Sequence, residues 1–480
     1  MKSIKKNYIY NLVYQILVLL APLVTTPYVS RVLGAEPIGE YSYAYSIVYY
    51  FMLVAILGTS TYAEREISFC RDDRLKRSCR FWDLFFLRNI TSLFSIAIYG
   101  IVVGVCFDNK MMAIIVSLNI ISVGLDTVWL FQGMEEFGRI TLRDTCIKIL
   151  TIGSIFLFVK KQEDIYLYAL IMSLSPVLSA LSLIPFLHRY VEKIDFKKVK
   201  PFYDFKSIVS LFVPTIAISV YAMLDKTMLG IFTTTKVENG YYEQATKLSK
   251  TALTVVTSLG TVMIPRISYY FEKRQQQLIE KYMLKSYQFA LLLGFPICFG
   301  MIGISDNLVP WFYGSGFEKV AMLLKVSGFL VIAIGLSNIT GLQYLVPTKQ
   351  QSKLTKSVCV GAVVNVILNA ILIPKLYSVG AAIASVIAEF SVTLVQFMYV
   401  RKQINLRKII KFGFKYFGAS IIMLLMLQIE NLVLYPGILA TLVMVASGVM
   451  IYFIVLLAVK DSLVFEVIGI IKKLKYAKLK

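Results

Sequence analysis

The chain has 480 residues, 58% hydrophobic and 16% charged, with 50 Lys and Arg against 28 Asp and Glu and a net charge of +22. A water-soluble enzyme or regulator of this length has no use for so much apolar surface, so that class is excluded. The positive balance reads as the basic-loop bias of a membrane protein rather than a nucleic-acid footprint, and one histidine with six scattered cysteines gives no metal or redox motif.

Apolar runs of about 20 residues recur along the whole chain, the length a bilayer-crossing helix needs. About 14 spans are predicted, at 8–30, 38–62, 82–106, 111–132, 142–159, 164–187, 207–233, 240–265, 285–305, 319–345, 353–375, 378–400, 413–429 and 437–459. The first, in MKSIKKNYIYNLVYQILVLLAPLV, has a basic start, a long apolar stretch and no small-residue cleavage site. A retained span is therefore expected, not a signal peptide. With the N-terminus in the cytosol, about 38 of the 50 basic residues fall on cytosolic ends and loops, about 7 in external loops and about 5 within spans. Both termini are then cytosolic. RDDRLKRSCR (71–80), HRYVEKIDFKKVK (188–200) and the tail KKLKYAKLK read as topology signals, with Asp72 and Asp73 in a solvated turn. There is no Walker-type phosphate loop. The longest external loop is expected near SDNLVPWFYGSGFEK, too short for the active site of an external polymerase or ligase.

Two stretches share a pattern. LAPLVTTPYVSRVLGAEPIGEYSYA and FVPTIAISVYAMLDKTMLGIFTTTKVENGYYEQA each carry a proline in an apolar helix, Pro22 and Pro214. Each then has a basic residue ahead of Leu-Gly (Arg31 before Leu33-Gly34; Lys226 before Leu229-Gly230), followed by G-x-Y-x-x-A (Gly39, Tyr41, Ala44; Gly240, Tyr242, Ala245). Both copies start from the same side of the membrane, so the repeat is parallel, the duplication expected of a two-lobed transporter. The expected fold is an all-α polytopic membrane protein with two six-helix lobes, 1–200 and 201–405, then two extra helices and a basic tail, 406–480.

TTPYVSRVLGAEPIGEYSYAYSI, the LDKTMLG of the seventh span and the order of six, six and two helices resemble a bacterial polysaccharide repeat-unit flippase. That is the O-antigen and capsule type within the multidrug/oligosaccharidyl-lipid/polysaccharide exporter superfamily. The resemblance covers essentially the whole chain. It implies a transporter, not an enzyme, in the bacterial cell membrane. Such a protein translocates undecaprenyl-diphosphate-linked oligosaccharide from the cytosolic to the outer leaflet by alternating access. It implies a proton or sodium gradient as energy source and no cofactor. The implied partners are the cargo lipid, the bilayer and a polysaccharide polymerase or export complex, with no nucleic acid. Two related branches stay open, a peptidoglycan-precursor lipid flippase and a multidrug antiporter.

The candidate site is the set of charges embedded in apolar spans, since an ionised side chain at bilayer depth costs about 2.5 kcal/mol or more. At about 1.5 Å per residue, Asp225 and Lys226 lie in the outer part of the seventh span, and Arg31 closes the first at similar height. Glu243, Lys247 and Lys250 share one face of the eighth span, continued by Thr254, Thr257 and Thr261. Lys325 lies near the outer end of the tenth. Pointed inward, Arg31, Lys226, Lys247, Lys250 and Lys325 form a cationic vault suited to the two phosphates of a lipid-linked sugar. Structural readings stand beside this one: Asp225 and Lys226 bracing a facing helix, Arg31 and Lys325 reaching toward headgroups. Asp225 and Glu243 are placed to pair with the lysines when cargo is absent. In the inner half, Arg88 and Asp126 are expected to pair between neighbouring spans, as a gate or a brace. Glu389, near mid-depth of the twelfth span, is the first candidate for ion coupling and Asp126 the second. No catalytic or metal site is expected.

Overall fold

The computed structural model describes residues 4–195, 197, 199–466 and 469, and among them there is no β-strand. The side chains of Pro214 and Thr261, and the basic tail 471–480, lie outside the described part. Contacts gather the chain into two compact units, Met1–Gly240 and Tyr241–Lys480.

The first unit holds α1 (Ile4–Leu33), α2 (Ala35–Ile56), α3 (Thr59–Phe69), α4 (Arg74–Cys106), α5 (Lys110–Leu125), α6 (Val128–Gly133), α7 (Phe137–Phe158), α8 (Ile165–Leu181) and α9 (Phe205–Phe232). It ends in the first turn of α10 (Val237–Thr257). The second unit continues α10 and adds α11 (Gly260–Glu272), α12 (Gln276–Tyr313) and α13 (Lys319–Asn338), which passes into a π-helix at Ile339–Leu345. The chain closes with α14 (Gln351–Val400), α15 (Leu406–Val433) and α16 (Ile438–Ala458). Each predicted span is helical, but those at 38–62, 111–132 and 240–265 are each broken into two helices. Ten segments among the described residues are long and apolar enough to cross a membrane. Charge keeps two further helices out of that set: α7 carries Arg139, Arg143, Asp144 and Lys148, and α10 carries Glu238, Glu243, Lys247 and Lys250. This is a multi-pass membrane protein.

The breaks between helices have local causes. Leu57 (φ 45°) and Gly58 (φ 75°) end α2 in left-handed backbone, splitting the second predicted span. Gly58 is needed twice, because a Cβ there would meet the Cβ of Phe212 at 2.9 Å on α9. Tyr377 (φ 53°, ψ −129°) interrupts α14 between the spans predicted at 353–375 and 378–400. Asn109 caps α5 by accepting from the Met112 N–H at 3.1 Å, and Asn405 caps α15 by accepting from Lys408 at 3.3 Å. Two sequence expectations are corrected. Residues 305–313 are the end of α12 rather than loop, so that connection shrinks to 314–318. Asp73 is not merely solvated: it is the N-cap of α4, accepting from the Lys76 N–H at 3.0 Å.

The arginine-rich turn 71–80 does more than carry charge. Arg77 is buried, and its guanidinium donates to the carbonyl of Tyr190 at 2.9 Å and to that of Arg71. Arg74 pairs with Glu192 at 3.1 Å, and the Trp82 indole donates to the Glu192 carbonyl at 3.0 Å. Arg80 pairs with Asp204 at 2.7 Å, just ahead of α9. These groups strap Tyr190, Glu192 and Asp204 across the end of α4, over a core of Tyr62, Ile67, Phe81, Trp129, Phe131 and Ile208. The seventh span, α9, packs on α2 and α3 within the first unit.

In the second unit α12 is the hub, packing on α13, α15 and α16. Gly303 lets Leu427 of α15 approach it closely. Buried polar groups bind helices across the unit: Tyr287 to Thr340 at 2.7 Å, and Tyr416 to Asp461 at 3.0 Å with Lys415 completing the ion pair at 2.7 Å. Val105, Leu432 and Leu439 stand outward and exposed, as side chains do that face lipid.

Candidate functional site

The first unit places Lys226 on α9 with its side chain buried. The next residue bolts α9 to α2: the Thr227 hydroxyl donates to Ser46 Oγ at 2.9 Å and shares a hydrogen bond with Tyr50 at 3.0 Å. The Lys226 carbonyl accepts from the Asn239 amide at 2.7 Å, tying α9 to the start of α10. Asp225 is half-buried and interacts electrostatically with Tyr50. Arg31 is exposed at the end of α1. Arg88 on α4, buried to 3% side-chain exposure, pairs with Asp126 at 3.2 Å. The other Asp126 oxygen accepts from the Val128 N–H at 3.0 Å, which starts α6.

At the Gly34 end of this unit the two copies of the repeat meet. A Cβ on Gly39 would collide with the carbonyl oxygen of Lys236, and a Cβ on Gly240 with the carbonyl oxygen of Ala35. Ala35 stands four residues before Gly39 and Lys236 four before Gly240, so the contact is two-fold in kind. Gly230 makes room in the same way for the ring of Tyr43. Beside this interlock lies a cavity of about 190 Å³, walled by Glu36, Glu40, Tyr43, Asp108, Asn109 and Lys236. The Lys236 ammonium donates to the Gly230 carbonyl at 2.6 Å and to the Thr233 carbonyl at 3.3 Å, and lies 4.8 Å from the Tyr43 ring centre. Burial lowers its pKa from the ordinary lysine value, while Asp108 and Glu40 pull the other way.

In the second unit Glu243 and Lys247 pair across one turn of α10 at 3.3 Å, and Lys250 is exposed farther along. Tyr242 of the same helix shares a hydrogen bond with Ser385 on α14 at 3.2 Å, and Ser249 with Ser327 on α13 at 2.8 Å. Lys325 pairs with Asp306 of α12 at 2.7 Å. Glu389 is half-buried on α14, and its carbonyl accepts from Thr393. Among the described residues no group of three or more His, Cys, Asp or Glu is placed to hold a metal.

Two expected pairs are therefore brought together, Arg88 with Asp126 and Lys247 with Glu243. The candidate vault draws Arg31 and Lys226 from the first unit and Lys247, Lys250 and Lys325 from the second. Sequence reasoning missed Asp306, which lay in an expected loop. It also missed the cavity at Glu40 and Lys236, although the matched glycines of the repeat were a usable signal.

The model of a family described as polysaccharide biosynthesis protein matches residues 4–271, more than half of the chain. The chain belongs to that family. Among curated proteins this family member is similar to a putative O-antigen transporter of Escherichia coli (strain K12). The two are 25% identical over 406 residues, which cover 83% of this chain and 97% of that protein. Among solved structures it superposes on the lipid II flippase MurJ in an inward closed conformation, with a TM-score of 0.73 at 16% identity, over 95% of this chain and 99% of that one. An inward-facing multidrug resistance MATE family transporter of the MOP superfamily matches with a TM-score of 0.64 at 14% identity, over 80% of this chain and 94% of that one. The fold of this polysaccharide biosynthesis protein is thus the one those two transporters share.

Proposed function

We propose that this family member is a flippase moving an undecaprenyl-diphosphate-linked oligosaccharide from the cytosolic to the outer leaflet of a bacterial cell membrane. The observation that carries the reading is the set of basic side chains kept on membrane helices, with Lys226 buried on α9 and Lys247 and Lys250 following on α10. Each is costly in lipid, and a diphosphate passing a low-dielectric barrier is the anion that offsets the cost. An organic-cation exporter calls for the opposite sign. The near full-length likeness to an O-antigen transporter supports a saccharide cargo. Transport proceeds by alternating access with a proton or sodium gradient. Glu389 is the coupling group, Asp225 and Glu243 hold the lysines between cargoes, and Arg31 and Lys325 complete the cationic surface. The flippase delivers its product to a polysaccharide polymerase or export complex on the outer side.

The test is translocation in proteoliposomes. Purified chain is reconstituted with labelled undecaprenyl-diphosphate oligosaccharide, and leaflet exposure is followed with an impermeant sugar-modifying reagent. Protein-dependent movement is expected, reduced at least tenfold in Lys226→Ala and Lys250→Ala, with Glu389→Gln losing the response to an imposed gradient. Wild-type rates in both lysine variants overturn the cationic site, and no movement by folded wild-type chain under a gradient overturns the flippase.

A further inference from the structure

We infer that the cavity beside the glycine interlock is a receptor for one sugar ring of the cargo, neutral or amino-bearing rather than acidic. The inference rests on the saccharide cargo proposed above and adds where the sugar, as distinct from the diphosphate, is held. Size comes first: a cleft of about 190 Å³ is on the scale of one small polar ring.

The chemistry of the wall comes next. Carboxylates from Glu36, Glu40 and Asp108, the Asn109 amide and the Lys236 ammonium supply acceptors and donors for hydroxyls around a ring. Phe107, with Tyr43 at a ring-centre distance of 6.0 Å, supplies the apolar part of the wall. An apolar occupant would strip water from the half-buried Glu40 carboxylate and leave it only the Asn109 amide. A phosphate or an acidic sugar would face three carboxylates and a single cation. Hydroxyls satisfy the wall without either conflict, and an amino group adds a favourable charge.

The wall is also built in advance. Asn109 donates to Glu40 at 3.0 Å while its oxygen caps α5, so the Glu40 carboxylate is aimed by a helix start. Lys236 is pinned by two carbonyls. The glycine contacts hold α2 against residues 235–240, fixing opposite sides of the cavity with respect to each other. Glu36, Asp108, Thr234 and Thr235 are exposed at its mouth, so a ring has a way in. Polar groups fixed in place in a pre-formed concave site are what set a small ligand's orientation.

The experiment uses the full chain in detergent or nanodiscs, with free glucose, galactose, N-acetylglucosamine, glucosamine and glucuronate as probes, read by saturation-transfer NMR. Thr235→Trp fills the mouth, and Glu40→Gln removes one wall charge. The expected result is saturation transfer to at least one neutral or amino sugar, reduced at least tenfold by Thr235→Trp and weakened by Glu40→Gln, with unfolding midpoints unchanged. Transfer to glucuronate as strong as to the neutral sugars, or no signal sensitive to Thr235→Trp, overturns the site. The proteoliposome assay separates the two readings. A chain that flips its cargo without a Thr235→Trp-sensitive sugar signal keeps the flippase and loses the receptor. A chain with the signal but no flipping keeps the receptor and loses the flippase.

Discussion

Arg88 and Asp126 show what an embedded charge does when it has a fixed partner. The guanidinium is almost fully buried and the carboxylate is 29% exposed, so Arg88 depends on Asp126 more than Asp126 depends on Arg88. Asp126→Asn keeps an acceptor for the Val128 N–H but leaves Arg88 without its counter-charge. Removing one partner of a buried pair costs about 3–5 kcal/mol, and the exposure of Asp126 places the loss at the lower end. Adding Arg88→Met removes the stranded charge, so the double variant is expected to recover most of that loss in detergent unfolding. An Asp126→Asn chain as stable as wild type overturns the brace. The pair is legible in sequence because each residue interrupts an apolar run at a similar depth. Lys325 was legible for the same reason, but its partner was not. Asp306 sits where Pro310, Gly314 and Gly316 signal a loop, whereas α12 runs on to Tyr313 and carries it as a helical side chain.

At the scale of elements, hydropathy gives the helices, and tertiary contact gives their interruptions. Spans are legible because lipid demands about 20 apolar residues wherever a helix crosses. The breaks at Leu57 and Tyr377 are not, since neither residue type favours positive φ and only their surroundings impose it. The G-x-Y-x-x-A pattern is legible as a repeat, yet spacing along one helix cannot say which carbonyl its glycine meets. The interlock gives that pattern a measurable consequence. At Gly39 and Gly240 an added methyl meets backbone rather than a flexible side chain, whereas nothing lies within 4 Å of the Cβ position at Gly104. Gly104→Ala is therefore expected to be neutral or stabilising by about 0.5–1 kcal/mol, as in any exposed helix. Gly39→Ala and Gly240→Ala are expected to lose about 1–3 kcal/mol through overpacking. Parallel unfolding curves of the three variants decide it, and three equal midpoints overturn the interlock.

The charge of the whole molecule predicts how it sits in the bilayer. Basic residues crowd the end that carries the 71–80 turn and the 188–204 connector, where several are spent on structure: Arg77 is buried and Arg80 is paired with Asp204. Those residues still count toward orientation, because the positive-inside bias acts on charge near span ends whatever its later partner. The opposite end holds Glu36, Glu40 and Asp108 around Lys236, and the 160–164 turn, where Glu163 and Asp164 balance Lys160 and Lys161. The positive-inside bias therefore predicts that the arginine-rich end lies on the cytosolic side. Cysteines introduced at Asp72 and at Glu163, both exposed, report it once the exposed native Cys146 and Cys359 are replaced. An impermeant maleimide is expected to label Glu163→Cys in intact cells and Asp72→Cys only after lysis. The reverse pattern would put Glu40, Lys236 and the sugar cavity in the cytosol. The cavity would then meet the cargo before the membrane step instead of after it, and the proposed direction of transport would have to be argued from the other leaflet.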